Sequence, residues 1–212
     1  MRHAMAHNYI SGLYAITPDE SNTQVLCTKV EAALKGGARL LQYRNKTAEG
    51  NLRLQQASAL LALCRSYNVP LIINNHLDLC AQIDADGLHL GATDCSLAAA
   101  RRLLGADRII GASCYNQLDL ALKAQAEGAS YVAFGACYST STKPNAVHAP
   151  LSLFAEAKKS IHLPLVAIGG ITLENAEAVV HAGADAIAVV RALFDAGDMV
   201  ETSRQFTNLF NS

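Results

Sequence analysis

Lys35-Gly-Gly-Ala-Arg-Leu-Leu-Gln42, Asp84-Ala-Asp-Gly-Leu-His-Leu-Gly91, Glu127-Gly-Ala-Ser-Tyr-Val-Ala-Phe-Gly135 and Ala182-Gly-Ala-Asp-Ala-Ile-Ala-Val-Val190 are four versions of one phrase. In each, a small-residue turn runs straight into a short apolar stretch. The reading is a helix that ends at a glycine, where positive φ is needed, followed at once by a strand. The four phrases precede the second, fourth, sixth and eighth of eight strand candidates. Those candidates are Leu13–Thr17, Arg39–Arg44, Pro70–Asn74, Gly87–Leu90, Arg108–Ser113, Tyr131–Gly135, Pro164–Ile168 and Ala186–Val190. Several are apolar on consecutive residues, as suits strands buried on both faces of a parallel sheet.

Helical patterns fill the intervals. The clearest is Asn51–Tyr67, where Leu52, Leu54, Ala57, Leu60, Leu61 and Cys64 gather on one broad face. Eight such units in 212 residues leave about 26 residues for each, a lean α/β chain forming a single (β/α)8 TIM barrel. An open doubly wound sheet is the runner-up and needs a reversal of strand order. The length suits one domain over residues 1–212, with residues 1–11 expected as a flexible N-terminal tail.

Composition narrows the function. The 17 basic and 18 acidic residues leave a net charge of −1, and no basic tract with interleaved aromatics stands out, which argues against nucleic-acid binding. Any anion site must be local. Six scattered cysteines, without zinc spacing, read as reduced and mostly buried thiols of a cytoplasmic protein. No run reaches the roughly 18 apolar residues of a membrane span.

Catalytic groups of such barrels gather at the C-terminal ends of the strands. Strand 2 ends in Gln42-Tyr43-Arg44-Asn45-Lys46, and the strand period turns Gln42, Arg44 and Lys46 the same way. That line reads as a pyrophosphate clamp or as a solvated strand end. Asn74 and Asn75 close strand 3, as heterocycle ligands or turn formers. Asp94, after strand 4, reads equally as a ligand for a hard cation or as a cap for a helix over Ser96–Leu104. His89 reads as a core histidine with one backbone partner. Ser113 lacks the context of a nucleophile and is expected to donate a hydrogen bond to substrate. Ser139 to Thr142 followed by Lys143 form an anion-friendly loop or a plain polar turn. The strongest physical signal is the pair of loops after strands 7 and 8, Ile168-Gly169-Gly170-Ile171-Thr172 and Val190-Arg191. There glycines and a helix start can hold a phosphate.

In this order, from roughly Gly12 to Ala196, the loops resemble the thiamine phosphate synthase family. Its Q-x-R-x-K run falls on Gln42, Arg44 and Lys46, and its Asn before the metal Asp on Asn74. Its strand-4 metal Asp falls on Asp94 and its strand-5 Ser on Ser113. The T-x-T-K loop falls on Thr140, Ser141, Thr142 and Lys143, and the A-I-G-G-I turn on Ala167–Ile171. The resemblance implies a Mg2+-dependent transferase that joins an aminopyrimidine diphosphate to a thiazole phosphate, with catalysis by Arg44, Lys46, Ser113 and Lys143. It implies that Gln42, Tyr43, Arg44, Asn45, Lys46, Asn74, Ser113 and Lys143 bind the diphosphate substrate. Thr140, Ser141, Thr142, Gly170, Val190 and Arg191 would bind the thiazole phosphate, and Asn75 and Asp94 the metal. The partners are then small molecules, without nucleic acid or membrane, and a homodimer is left open. Three departures stand out: Asn75 in place of the family's usual Asp, Tyr115 in place of His, and Arg191 in place of Ser. A thiazole tautomerase-like isomerase and a non-catalytic phosphate sensor are the alternatives. Asp78 is a further candidate to reach the metal through water.

Overall fold

The structure is a computed structural model that describes residues 10–139 and 147–211. Eight strands pair in parallel: β1 Gly12–Ile16, β2 Leu40–Tyr43, β3 Leu71–Asn74, β4 Gly87–Leu90, β5 Ile109–Tyr115, β6 Tyr131–Phe134, β7 Leu165–Ile168 and β8 Ala186–Val189. Each pairs with the next, and β8 returns to β1 with Gly12 opposite Ala186, closing the barrel. Closure in sequence order excludes the doubly wound alternative. Among the described residues the helices are α1 Thr23–Lys35, α2 Gly50–Ser66, α3 Leu77–Gln82, α4 Leu97–Leu104, α5 Leu118–Ala126, α6 Ser152–Ala157, α7 Leu173–His181, α8 Arg191–Phe194 and α9 Met199–Asn208.

Alternate strand residues divide between two cores. Inward positions such as Tyr14, Leu40, Ile72, Ile109, Tyr131 and Val166 fill the barrel. Outward positions such as Leu13, Leu41, Ile73, Leu88 and Val132 pack against the helices. Both strand faces are therefore apolar, which is why the strands read as continuous apolar runs. The inner packing is tight around Tyr131. An added Cβ at Gly111 on the neighbouring strand would lie 2.0 Å from its Cζ.

The repeated turn works as expected at three of its four places. Gly37, Gly128 and Gly183 have φ of 99°, 85° and 107°. Before β4 the positive φ is carried by Asp84, at 55°, and not by Gly87. Gly87 lies within the strand facing inward, where a Cβ would come 2.3 Å from the Ile109 carbonyl oxygen and 2.6 Å from Ile72 Cδ1. Its absence of a side chain is a packing requirement of the barrel.

Two further expectations need correction. Ile10 is only 1% exposed and belongs to the inner core, so the packed barrel begins before residue 11. In α2 the buried face includes Gln56, while Leu52 and Leu54 are only half-buried. Gln56 is satisfied on both ends: Oε1 accepts from Tyr43 Oη at 2.9 Å and Asn45 Nδ2 at 3.0 Å, and Nε2 donates to the Glu20 carbonyl at 2.8 Å. A fully bonded amide can replace apolar surface at this position.

All six cysteines are free thiols, and Cys64, Cys80, Cys114 and Cys137 are buried. Burial pushes Cys64, Cys80 and Cys114 up to about 12 and Cys137 up to about 11. The thiolate is the reactive form. A thiol reagent at neutral pH should therefore label at most Cys27 and Cys95 in the native protein, and all six in denaturant. Rapid native labelling of Cys64 or Cys114 would contradict this packing.

Candidate active site at the C-terminal barrel face

The strand ends and following loops enclose a cavity of about 1320 Å³. On the β2 side, Gln42 is 3% exposed and its Nε2 donates to Tyr14 Oη at 2.8 Å. Arg44 is anchored by its backbone: its N–H donates to Thr17 Oγ1 at 2.9 Å, and that hydroxyl donates back to the Arg44 carbonyl at 2.8 Å. The guanidinium lines the cavity with its side chain only 16% exposed, 3.8 Å from Asp19 Oδ1. Burial pulls it below its usual range, and Asp19 acts in the opposite direction. Asp19 also accepts the Lys46 backbone N–H at 2.8 Å, which ties the loop so that Lys46 borders the cavity.

Tyr43 and Asn45 lie between these residues in sequence, and their polar atoms bond to α2 and to the neighbouring loops. The Tyr43 hydroxyl goes to Gln56. Asn45 donates to the Glu20 carbonyl at 2.7 Å and accepts from the Thr47 and Ala48 N–H groups, each at 3.1 Å. Both residues also line the cavity beside Arg44 and Lys46.

Asn74, Asn75, His76 and Asp94 form the next wall. Asn75 sits in the left-handed region at φ 65° and donates its N–H to the His89 carbonyl at 2.9 Å. Asp94 Oδ2 accepts the Gly91 N–H at 2.6 Å. It does not cap α4; Ser96 does, accepting the Ala99 N–H at 3.2 Å. The cap reading of Asp94 is thereby set aside. His76, not singled out from sequence, is held below its usual range by burial and by Arg53, against Asp94. Asp78 is exposed in the first turn of α3 and is not part of the cavity wall.

The floor was not legible in the sequence. His89 has side-chain partners: Nδ1 lies 2.9 Å from Tyr131 Oη, and Nε2 lies 2.9 Å from Ser113 Oγ. Tyr131 Oη is in turn 2.9 Å from Tyr14 Oη, which meets Gln42. The expectation of a core histidine with a single backbone partner is corrected. The available signal was the period of two, which turns Tyr14, Gln42, His89, Ser113 and Tyr131 all inward.

Across the cavity, Gly169 and Gly170 take φ of 99° and 66°. Asn175 braces this turn: Nδ2 donates to the Gly170 carbonyl at 3.0 Å, and Oδ1 accepts the Thr172 N–H at 2.9 Å. Thr172 is the N-cap of α7, whose first N–H groups have no acceptor in the helix backbone. A Cβ on Gly170 would meet the Ser139 carbonyl oxygen at 2.5 Å, so a larger residue there would disturb the β6 loop as well as any phosphate. Val190 and Arg191 follow β8, and Arg191 Nε pairs with Asp195 Oδ2 at 3.0 Å on the rim. Thr140, Ser141, Thr142 and Lys143 lie outside the described residues; Ser139 and Val147, on either side, line the cavity.

The chamber thus has a cationic end at β2, a backbone N–H end at β7 and β8, and a hydrogen-bonding floor between them. A family model described as thiamine monophosphate synthase matches residues 13–193, which take in all eight strands except the first residue of β1. The chain belongs to the thiamine monophosphate synthase family. Among its relatives, the thiamine-phosphate synthase of Methylobacillus flagellatus is 57% identical over 202 residues, covering 95% of this chain and 96% of that protein. That of Nitrosomonas eutropha is 54% identical over 201 residues, covering 95% of each. The thiamine phosphate pyrophosphorylase from Pyrococcus furiosus superposes with a TM-score of 0.86 at 32% identity, over 97% of both chains. A 3-hexulose-6-phosphate synthase superposes with a TM-score of 0.68 at 16% identity, over 92% of this chain and 98% of that one, which shows the shared barrel alone. Membership in the thiamine monophosphate synthase family agrees with the resemblance drawn from the loops. Among the described residues no helix is long and apolar enough to cross a membrane.

Proposed function

We propose that this chain joins an aminopyrimidine methyl diphosphate to a thiazole phosphate, giving thiamine phosphate and pyrophosphate. The observation that carries the reading is the two-ended chamber, with Arg44 and Lys46 at one end and the Gly169–Gly170 turn with the start of α7 at the other. One anionic group fits each end, and the rings lie between. The bond from the pyrimidine methylene carbon to diphosphate oxygen breaks, and its electron pair leaves with pyrophosphate. The methylene cation is stabilised by the electron-rich ring. The thiazole nitrogen lone pair then forms the new carbon–nitrogen bond. Arg44, Lys46 and Lys143 offset the charge that develops on the leaving group, and the chamber holds the two rings in line. Gln42, Tyr43, Asn45, Asn74 and Ser113 join the three cations in binding the aminopyrimidine diphosphate. Thr140, Ser141 and Thr142 join Gly170, Val190 and Arg191 around the thiazole phosphate.

The donor set on the β3–β4 wall fits Mg2+. Asp94 contributes a carboxylate and Asn75 an amide oxygen, both hard ligands, and Mg2+ commonly binds through one or two carboxylates together with substrate phosphates. When bound, the metal neutralises charge on the departing diphosphate. The free cysteines support a cytoplasmic setting.

Pyrophosphate release tests the reading. It should require both substrates together. Release from neither, with isomerisation of a thiazole alone, would favour the tautomerase-like alternative. Binding of either phosphate without turnover would favour a sensor.

Position 75 gives a second test. Asn75→Asp adds a carboxylate charge to the cavity wall that Asp94 also lines, and should lower the Mg2+ concentration for half-maximal rate about tenfold, equivalent to ~1.4 kcal/mol of metal binding. The rate at saturating metal should change little. Superimposable Mg2+ titrations would remove position 75 from the metal site, and an unmoved titration for Asp94→Ala would remove the site altogether.

A further inference from the structure

The barrel floor carries one continuous line of hydrogen bonds: Gln42 Nε2 to Tyr14 Oη at 2.8 Å, Tyr14 Oη to Tyr131 Oη, Tyr131 Oη to His89 Nδ1, and His89 Nε2 to Ser113 Oγ, the last three each at 2.9 Å. One direction of the line gives every buried proton along it an acceptor. An amide NH2 can only donate, so Tyr14 accepts from Gln42. A phenol has one proton and accepts through its lone pairs, so either hydroxyl can donate in the Tyr14–Tyr131 bond; both buried phenolic protons meet an acceptor along the line only when Tyr14 donates to Tyr131. In that arrangement Tyr131 donates its single proton to His89 Nδ1, which acts as acceptor. An imidazole that accepts at Nδ1 is neutral and carries its proton on Nε2, so it donates to Ser113. Ser113 lines the cavity, and with its oxygen receiving the His89 N–H its own proton is directed toward the chamber.

We infer that Tyr14 and Tyr131 are positioning residues that lock His89 in its Nε2-protonated tautomer and so make Ser113 a hydrogen-bond donor to the ligand. The function deepens the reading proposed above and rests on it only for the ligand, an aminopyrimidine that meets Ser113 with a ring-nitrogen lone pair. With the opposite tautomer, Ser113 would have to donate to His89 and would offer the cavity lone pairs only. The choice between a donor and an acceptor at Ser113 is thus made by two phenols that do not touch it.

Three observations support the lock. Burial pushes both phenols well above their usual range, so each keeps its proton and stays a donor. The His89 ring stacks on Tyr131 with centroids 5.6 Å apart and planes 18° from parallel, which fixes its orientation. Tyr14 meets Tyr131 edge-on at 5.9 Å and 86°, which holds the second phenol in turn.

The test is nitrogen NMR of the full chain labelled at its seven histidines, without substrate, with the His89 signals assigned by their loss in His89→Gln. Wild-type Nδ1 should resonate as a pyridine-type nitrogen and Nε2 as a pyrrole-type one. Tyr14→Phe removes the first phenol without touching His89 or Ser113. It frees Tyr131 to accept as well as donate, so His89 should become a mixture of tautomers. The KM for the aminopyrimidine diphosphate should rise roughly tenfold, the worth of about one neutral hydrogen bond, while that for the thiazole phosphate holds. A wild-type proton on Nδ1 overturns the inference by itself, even if every variant fails to fold. An unchanged tautomer in folded Tyr14→Phe also overturns it. Should the NMR result hold while pyrophosphate release fails, the polarity of the floor stands and the proposed reaction falls.

Discussion

Gly111→Ala should destabilise the protein by at least about 3 kcal/mol, at the upper end of what overpacking a core costs. The new Cβ would lie 2.0 Å from Tyr131 Cζ and 2.4 Å from both Cε atoms. The ring cannot retreat, because its hydroxyl is bonded to Tyr14 and His89 and its face is stacked on the imidazole. The urea midpoint should fall while the slope of the transition stays as in the wild type. In a Tyr131→Ala background the same change should cost under about 1 kcal/mol, because the obstacle is gone. Equal losses in the two backgrounds would show that Gly111 is required for some reason other than the ring.

Arg44→Ala should lower kcat/KM for the aminopyrimidine diphosphate about a thousandfold, near 4 kcal/mol of lost transition-state stabilisation. The loop should survive, because Arg44 is tied to Thr17 through its backbone N–H and carbonyl. The KM for the thiazole phosphate should change by less than about threefold, since that phosphate is placed at the opposite end of the chamber. Arg44→Lys should recover only part of the loss: an ammonium restores the charge but not the two-pronged geometry. A drop smaller than about tenfold in Arg44→Ala would mean that the leaving charge is met elsewhere.

Much of this molecule is written locally. The strand starts are announced by turns such as Gly37-Ala38 and Gly183-Ala184, and glycine can take the positive φ that these turns use. Gln42 faces into the barrel because strand side chains alternate, a period that any short window displays, whereas Arg44 and Lys46 lie past the end of β2 and are held at the cavity by Thr17 and Asp19. Asn75 also lies where its place in the chain puts it, at the end of β3. The turns, the alternation and the place of Asn75 are statements about neighbours in sequence, and the physics behind them acts over a few residues.

Other features depend on where distant strands come to rest. Asp94 was ambiguous between cap and cavity until Ser96 was seen to cap α4 and Asp94 to lie on the chamber wall. Gly87 looked like a turn residue, but it leaves room for Ile72 and for the β5 backbone. Gln56 belongs to the buried face of α2 only because Tyr43, Asn45 and the Glu20 carbonyl surround it. The floor is the extreme case, since Tyr14 and Tyr131 are 117 residues apart and share one hydrogen bond. The sequence by itself determined the alternation of helix and strand and the face on which each strand residue lies, because those follow from local backbone periodicity. Only the tertiary structure decided which inward residues meet across the barrel axis, because ring closure sets those distances and no local pattern encodes them.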